Sequence, residues 1–217
     1  MKFKNIINHI ITILKHKKNV FYYCNIAGIT WRGIKHDMSK FSPIEFKESI
    51  KYYTGTSSPI DECKKENEYS LAWMHHKGHN DHHYEYWMDN FDEGGESIQM
   101  PLDCAIEMIC DYLAAGKTYN ENRNRDFTYI DELTWFIRKI DSGCAMHINT
   151  KKFTFLVLRN LVSLDNLNLK NNKYEKEILK EKYFSHEILS AIYYHSELIS
   201  TDEFLEILDY ERNKYIK

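Results

Sequence analysis

Five of the eleven histidines in this chain lie within nine residues, between positions 75 and 83. Neutral imidazole is the commonest protein ligand for transition metals. A His36-Asp37 pair lies upstream of this run. The run is flanked by bulky aromatic residues, which favours a packed site over a solvated histidine-rich loop; these are Trp73, Tyr84, Tyr86 and Trp87. The residue types and their density therefore indicate a metal site.

The spacing within the run leaves several ligand choices open. His75 and His79 are four residues apart, so they share one helix face if a helix continues through Gly78. His79 and His83 are again four apart, and His82 neighbours them. His76 falls at the end of the same predicted helix. Two or three of these five histidines are expected to be ligands.

The His36-Asp37 pair is predicted to close the second helix of the chain. Adjacent residues on a helix point about 100° apart, but the turn of the backbone at a helix end lets both side chains face one ion. Asp37 has two carboxylate oxygens and can bridge two ions. Lys40 lies three residues further on, within reach of an anionic ligand. The alternative is a capping aspartate beside a surface histidine.

Three carboxylates lie at helical spacing on a predicted helix that begins at Pro101 and ends near Gly116. Asp103, Glu107 and Asp111 share one face, and apolar residues surround them. A solvated face is the alternative, but a buried carboxylate needs a partner, and a cation is the obvious one.

Two more histidines lie on the first predicted helix, two turns apart on the same face. These are His9 and His16. Either can be a lone structural histidine, and we expect this of His9.

The elements that must position these residues are predicted to be helices throughout, because proline and glycine are scarce (3 and 8 residues). No strand pattern is found. A capping box at Ser42-Pro43-Ile44-Glu45 starts the third helix. Ser58-Pro59 opens a fourth that runs to Gly78, and Asp81 caps a short fifth that ends before Gly94-Gly95. No apolar run approaches the roughly 20 residues of a membrane span.

The composition excludes several classes of protein. A net charge of −3 argues against general nucleic-acid binding, although a nucleotide substrate remains compatible with it. The five cysteines are odd in number, widely spaced and without a CxxC motif, which indicates reduced thiols and a cytoplasmic location. The sequence carries no signal for the oligomeric state.

The order of these residues resembles the all-helical HD superfamily of metal-dependent phosphohydrolases. The order is His16, His36-Asp37, His76 with His82 or His83, and Asp111. HDMSK is similar to the HDxxK form of the cyclic-dinucleotide phosphodiesterases of that superfamily, although their GYP signature is absent. A closer resemblance, to an uncharacterised domain of unknown function, rests on HDMSKFSPIEF, LAWMHHKGHNDHHYEYW and MPLDCAIEMICDYLAAGK.

The HD resemblance implies a ligand set. The first ion would be held by His16, His36, Asp37 and Asp111. The second would be held by Asp37, His76 and His82, with His75, His79 and His83 as alternatives. Mixed nitrogen and oxygen ligands suit one or two ions of Mn, Fe, Ni, Co or Zn.

The same resemblance implies a fold and a function. The fold would be an HD-like helical bundle (residues 1–147) with a helical C-terminal extension packed on it (148–217). The function would be hydrolysis of a nucleotide or another small phosphate ester. Lys40 would face the phosphate, and Glu107 would support the ligands or accept a proton. The alternatives are an HD-type di-iron oxygenase and a non-catalytic module that binds a metal or ligand.

Overall fold

The computed structural model describes residues 3–89, 95, 97–167 and 174–216, and within these ranges the chain is all-α with no strand. Short 3₁₀ turns at 38–41, 84–87 and 162–167 and a π turn at 180–184 connect some of the helices. The helices are α1 (Phe3–Ile26), α2 (Thr30–Lys35), α3 (Pro43–Lys51), α4 (Pro59–Asn67), α5 (Leu71–His79), α6 (Leu102–Asn122), α7 (Tyr129–Asp141), α8 (Ile148–Leu161), α9 (Glu175–Leu179), α10 (His186–Leu198) and α11 (Thr201–Tyr215).

The two longest helices, α1 and α6, pack against each other and form the frame of the site. α6 contributes a nearly continuous set of fully buried residues, among them Ile106, Ile109 and Leu113. Helix α2 packs on α1, where a side chain at Gly33 would overlap with Cys24. The buried apolar side of α6 therefore fixes the height and rotation of Glu107 and Asp111 relative to α1.

The segment predicted as one helix from Ser58 to Gly78 is instead two helices, and that prediction was wrong. Glu68 adopts a left-handed conformation (φ 68°) that ends α4, and Ser70 caps α5 by accepting a hydrogen bond from the amide of Trp73. The break lets α5 fold back against α3. The end of α5, where the histidine run begins, thus lies beside the start of α3.

The predicted fifth helix is also wrong over residues 81–89, because only a single 3₁₀ turn (Tyr84–Trp87) forms there. Asp81 does not cap a helix. Its carboxylate pairs with the guanidinium of Arg32, and its carbonyl accepts from the indole of Trp87 at 2.7 Å. The predicted end of this helix at Gly94-Gly95 falls mostly outside the described residues.

The C-terminal helices share one hydrophobic core with the rest of the chain. Phe136 of α7, Phe153 of α8 and Phe204 of α11 are buried in the same cluster as Ile109 of α6. The boundary between residues 147 and 148 stays a prediction. Among the described helices, none combines the length and apolar character needed to cross a lipid bilayer.

Candidate metal centre

The backbone turn after α2 directs His36 and Asp37 into the same space. Asp37 has a positive φ of 56°, an unusual conformation for a residue other than glycine. The ammonium of Lys17 donates to the carbonyl of His36 at 2.5 Å and to that of Ile34 at 2.8 Å, which satisfies the free carbonyls at the helix end. Backbone strain of this kind often accompanies a functional site.

A first group of potential ligands forms between α1, α6 and this turn. His16 Nε2 lies 2.9 Å from Asp111 Oδ1, and His36 Nε2 lies 3.1 Å from Asp37 Oδ2. His36 and Asp111, which belong to different helices, come within 3.4 Å. The structure therefore brings together four residues that the sequence suggested, with one ligand atom of each within 4.8 Å of the others: His16, His36, Asp37 and Asp111.

A second group lies on the other side of the Asp37 carboxylate. Asp37 Oδ1 is 3.2 Å from His76 Nε2 and 3.5 Å from His82 Nε2. His83, which the sequence left open, joins these three within the same 4.8 Å limit. Asp37 Oδ2 faces the first group and Oδ1 the second, so this carboxylate is placed as a bridge between two ligand sets.

Six inward-facing atoms of the two groups are buried and lack a hydrogen-bond partner of good geometry among the described residues. They are Nε2 of His16, His36, His82 and His83 and both carboxylate oxygens of Asp37. Buried polar groups are ordinarily paired, because an unpaired one costs about 1–3 kcal/mol. Of these six atoms only Asp37 Oδ2 has a cation beside it in the described part of the chain, the ammonium of Lys40. Their convergence fits a bound metal ion, and nitrogen and oxygen ligand atoms suit a divalent transition metal.

Glu107 fixes the orientation of His36 from outside the cluster. Its Oε1 lies 2.8 Å from His36 Nδ1, and its Oε2 accepts from Arg32 Nε at 2.6 Å. Burial would raise the pKa of Glu107, but the hydrogen bonds with His36 and His82 outweigh it and lower the pKa to about 2. An ionised carboxylate only accepts, so Nδ1 of His36 carries the proton and Nε2 points its lone pair inward.

Glu45 does the same for His76, and sequence reasoning missed this role. Its Oε2 lies 2.8 Å from His76 Nδ1, while its Oε1 lies 2.7 Å from His75 Nδ1. The predicted capping box is present only in part: Ser42 accepts from the amide of Glu45 at 3.4 Å, but the Glu45 side chain turns into the protein.

His75 and His79, two of the alternative ligands, lie outside the cluster. Their rings stack on each other at 4.0 Å between centroids, and His79 Nδ1 bonds to the carbonyl of His75. Asp103, the third carboxylate of the α6 stripe, is exposed and pairs with His186. Arg32, which holds both Glu107 and Asp81, carried no signal in the sequence because its two partners are far away in the chain.

The carboxylates give the centre a field that favours positive charge. Burial raises the pKa of Asp37, but His36, Lys40 and His76 hold it well below its usual range. Burial lowers the pKa of His36, yet Asp37, Asp111 and Glu107 raise it well above its usual value. The field that favours an extra proton on His36 equally favours a metal cation beside its Nε2.

Lys40 Nζ lies 2.5 Å from Asp37 Oδ2 and borders a cavity of about 180 Å³. The cavity opens on the cluster through His16, His76, His83 and Asp111. It is walled by residues of α1, α3, α5 and α6, so a small molecule held there would meet both the cluster and Lys40.

The fold and the site define an all-α protein with a buried histidine-carboxylate cluster. A family model described as "Family of unknown function (DUF5662)" matches residues 5–157, and the chain belongs to that family. No curated protein and no solved structure matches the chain.

Proposed function

We propose that this protein is a metal-dependent phosphohydrolase that acts on a nucleotide or another small phosphate ester. Residues 1–147 would form an HD-like catalytic domain and residues 148–217 a helical extension packed on it. The observation that carries the proposal is the split of the Asp37 carboxylate between two groups of inward-facing imidazoles. Enzymes that use two metals to hydrolyse phosphate esters need a bridging ligand of this kind.

The ligand assignment follows the contacts. His16, His36, Asp37 and Asp111 would hold one divalent ion, and Asp37, His76 and His82 a second, with His83 available as a further ligand. Mn, Fe, Co, Ni and Zn suit this donor set better than Ca. A divalent cation bound there would lower the pKa of a coordinated water towards about 7 and so supply the nucleophile.

The residues around the cluster have distinct roles in this proposal. Lys40 neutralises charge on the phosphoryl oxygens, because it is the cation that faces both Asp37 and the cavity. Glu107 and Glu45 orient His36 and His76. Both oxygens of Glu107 already accept hydrogen bonds, which favours orientation over proton acceptance. In the reaction, water adds to phosphorus, the ester P–O bond breaks, and the departing alkoxide takes a proton.

The test separates Asp37 from Lys40. Asp37→Ala removes a ligand of both groups, so metal content and phosphatase activity should fall together. Lys40→Ala should keep the metal and lower turnover about 10²–10³-fold, the typical loss when one such charge contact is removed. The assay is a panel of nucleotides, cyclic dinucleotides and an aryl phosphate, with Mn, Mg, Co, Ni or Fe added in turn.

Two matched variants control for the substitutions themselves. His79→Ala removes an exposed histidine of the same run, and Lys47→Ala removes an exposed lysine of α3. Both should behave as wild type. Hydrolysis that survives in Asp37→Ala would come from another site, and no hydrolysis by wild type with any metal would refute the phosphohydrolase.

A further inference from the structure

His9 lies on α1 two turns before His16 and borders the same cavity. Seven residues of helix separate the two by about 10 Å along the axis. The cavity therefore extends from the metal centre to a second polar point, with Thr12 and Ile13 of the same helix between them.

The His9 ring is buried and lacks a polar partner. It is only 5% exposed, and within the part of the chain that the structure describes neither Nδ1 nor Nε2 has a hydrogen-bond partner. Its contacts are with rings: the centroid of Tyr53 is 5.1 Å away and that of Phe46 is 5.8 Å away. Leaving such a group unpaired costs free energy, and a ligand that pairs with its nitrogens would recover that cost.

Three hydroxyls of the wall are already engaged with protein groups. Thr12 Oγ1 and the Tyr53 hydroxyl are 2.8 Å apart, and Tyr53 donates to the carbonyl of Asn8 at 3.1 Å. Thr118 accepts from the amide of Asn19. His9 thus differs from these hydroxyls in having no protein partner for either ring nitrogen among the described residues, while its ring borders the cavity.

The ring of His9 is neutral. Burial, and then the charge of Lys40, lower the pKa of His9 to about 4. A neutral imidazole offers one N–H donor and one acceptor and no positive charge. Such a ring can hydrogen-bond to a hydroxyl or carbonyl group of a ligand. It carries no positive charge that would attract a second phosphate group, beyond the one at the metal centre.

The size of the cavity limits the ligand further. At about 180 Å³ it is close to the engineered apolar cavity of about 150 Å³ that binds one benzene molecule. Tyr53, Trp73 and Tyr119 supply aromatic wall. One ring fills a space of this volume, which favours a compact ligand over two linked nucleotides.

We propose that His9 is a specificity-determining residue that recognises a neutral hydrogen-bonding group at the far end of a single-ring phosphate monoester. This inference rests on the proposed function, which places the phosphate at the metal centre. Among phosphate esters, His9 would favour compact monoesters with an uncharged polar tail over bisphosphates and dinucleotides.

Two probes of equal size isolate the contact: 4-(hydroxymethyl)phenyl phosphate and 4-ethylphenyl phosphate. They differ in a hydroxyl against a methyl group, so the metal centre meets the same phosphate in both. The metal-loaded wild type should prefer the hydroxymethyl ester roughly tenfold in kcat/KM, because the ethyl ester leaves His9 unpaired. His9→Leu should remove this preference mainly through KM. His9→Gln, which keeps a donor and an acceptor, should retain part of it, and His79→Leu should leave it unchanged.

Binding of the corresponding non-hydrolysable phosphonates, measured by calorimetry, separates the two proposals. A preference for the hydroxymethyl phosphonate that depends on His9, without hydrolysis of either ester, would keep the binding inference and refute the phosphohydrolase. Hydrolysis of both esters with the same preference in wild type and in folded His9→Leu and His9→Gln would overturn the role of His9 and leave the phosphohydrolase standing. Melting curves establish that each variant is folded.

Discussion

Two buried glutamates on opposite sides of α6 have pKa values shifted in opposite directions. Glu107 faces the candidate metal centre, is 3% exposed and has a pKa lowered to about 2. Glu132 of α7 is 7% exposed and packs against Gly116 of α6, where any larger side chain would overlap with its carboxylate. Burial, and then the charges of Asp111 and Asp131, raise the pKa of Glu132 to about 8.

The difference lies in the partners rather than in the burial. Glu107 is surrounded by hydrogen-bond donors, namely His36 and the guanidinium of Arg32, and it stays ionised. Glu132 has a negative carboxylate, Asp111, among the groups that act on it, and it keeps its proton at neutral pH. One side of α6 therefore places ionised carboxylates next to imidazole nitrogens, a field that favours a cation, while the other side holds a neutral acid.

Metal removal should give the largest change in stability. The change should depend on the ligands that lie on the Glu107 side of α6. Ligands that converge only in the folded state link metal binding to folding. With free metal at about 1,000 times its Kd, binding adds about 4 kcal/mol to the free energy of unfolding, a melting shift on the order of 10 °C for a chain of this size. Scanning calorimetry before and after treatment with a chelator measures the shift.

Two variants, one on each side of α6, are the controls for metal removal. Glu132→Gln should show the same chelator-induced shift as the wild type, while Asp37→Ala should show none. An unchanged melting temperature in wild type that has demonstrably lost its metal would contradict the link between the cluster and stability.

Glu107→Gln should give an intermediate effect, a weaker affinity for the metal. The amide places an N–H group where Glu107 now accepts hydrogen bonds, so His36 loses the partner that fixes its tautomer. Loss of such an outer partner typically weakens metal binding about 10–100-fold. Competition with a chelating dye measures the affinity. Asp103→Asn, at an exposed carboxylate of the same helix, is the matched control and should bind metal as the wild type does. Equal affinities in all three proteins would show that Glu107 does not support the metal.

Over a single pH unit, Glu132→Gln should give the smallest change in stability, and the size of that change depends on pH. The pKa of Glu132 is higher in the folded state (about 8) than its ordinary value of 4.5. The stability that its proton provides is thus fully present below about pH 4.5 and is lost as pH rises through about 8. Glutamine cannot titrate, so the variant should gain about 1 kcal/mol relative to wild type for each pH unit within this window.

Urea unfolding of wild type and Glu132→Gln at about pH 6.5 and 7.5 measures this difference in the free energy of unfolding. Glu206→Gln, at an exposed glutamate of α11, is the control and should follow the wild type. A Glu132→Gln variant that also follows the wild type at both pH values would show that the two sides of α6 do not differ as described.

The sequence predicted much of the inner cluster, because residue type and helical spacing carry that information locally. His16, His36, Asp37, His76, His82 and Asp111 all lie together, and His83 joins them. The sequence did not reveal Glu45 or Arg32, whose partners are distant in the chain. It also missed the break at Glu68, where a left-handed residue and the cap at Ser70 end one helix and start another.

Elemental analysis of the wild type and of Asp37→Ala, purified side by side after growth with transition metals, tests the central claim most directly. The account predicts one or two equivalents of Mn, Fe, Co, Ni or Zn in the wild type, because unpaired nitrogen and oxygen donors converge at Asp37. It predicts loss of most of that metal in Asp37→Ala and retention in the His79→Ala control. A folded wild type that contains no transition metal and takes up none on addition would contradict the account.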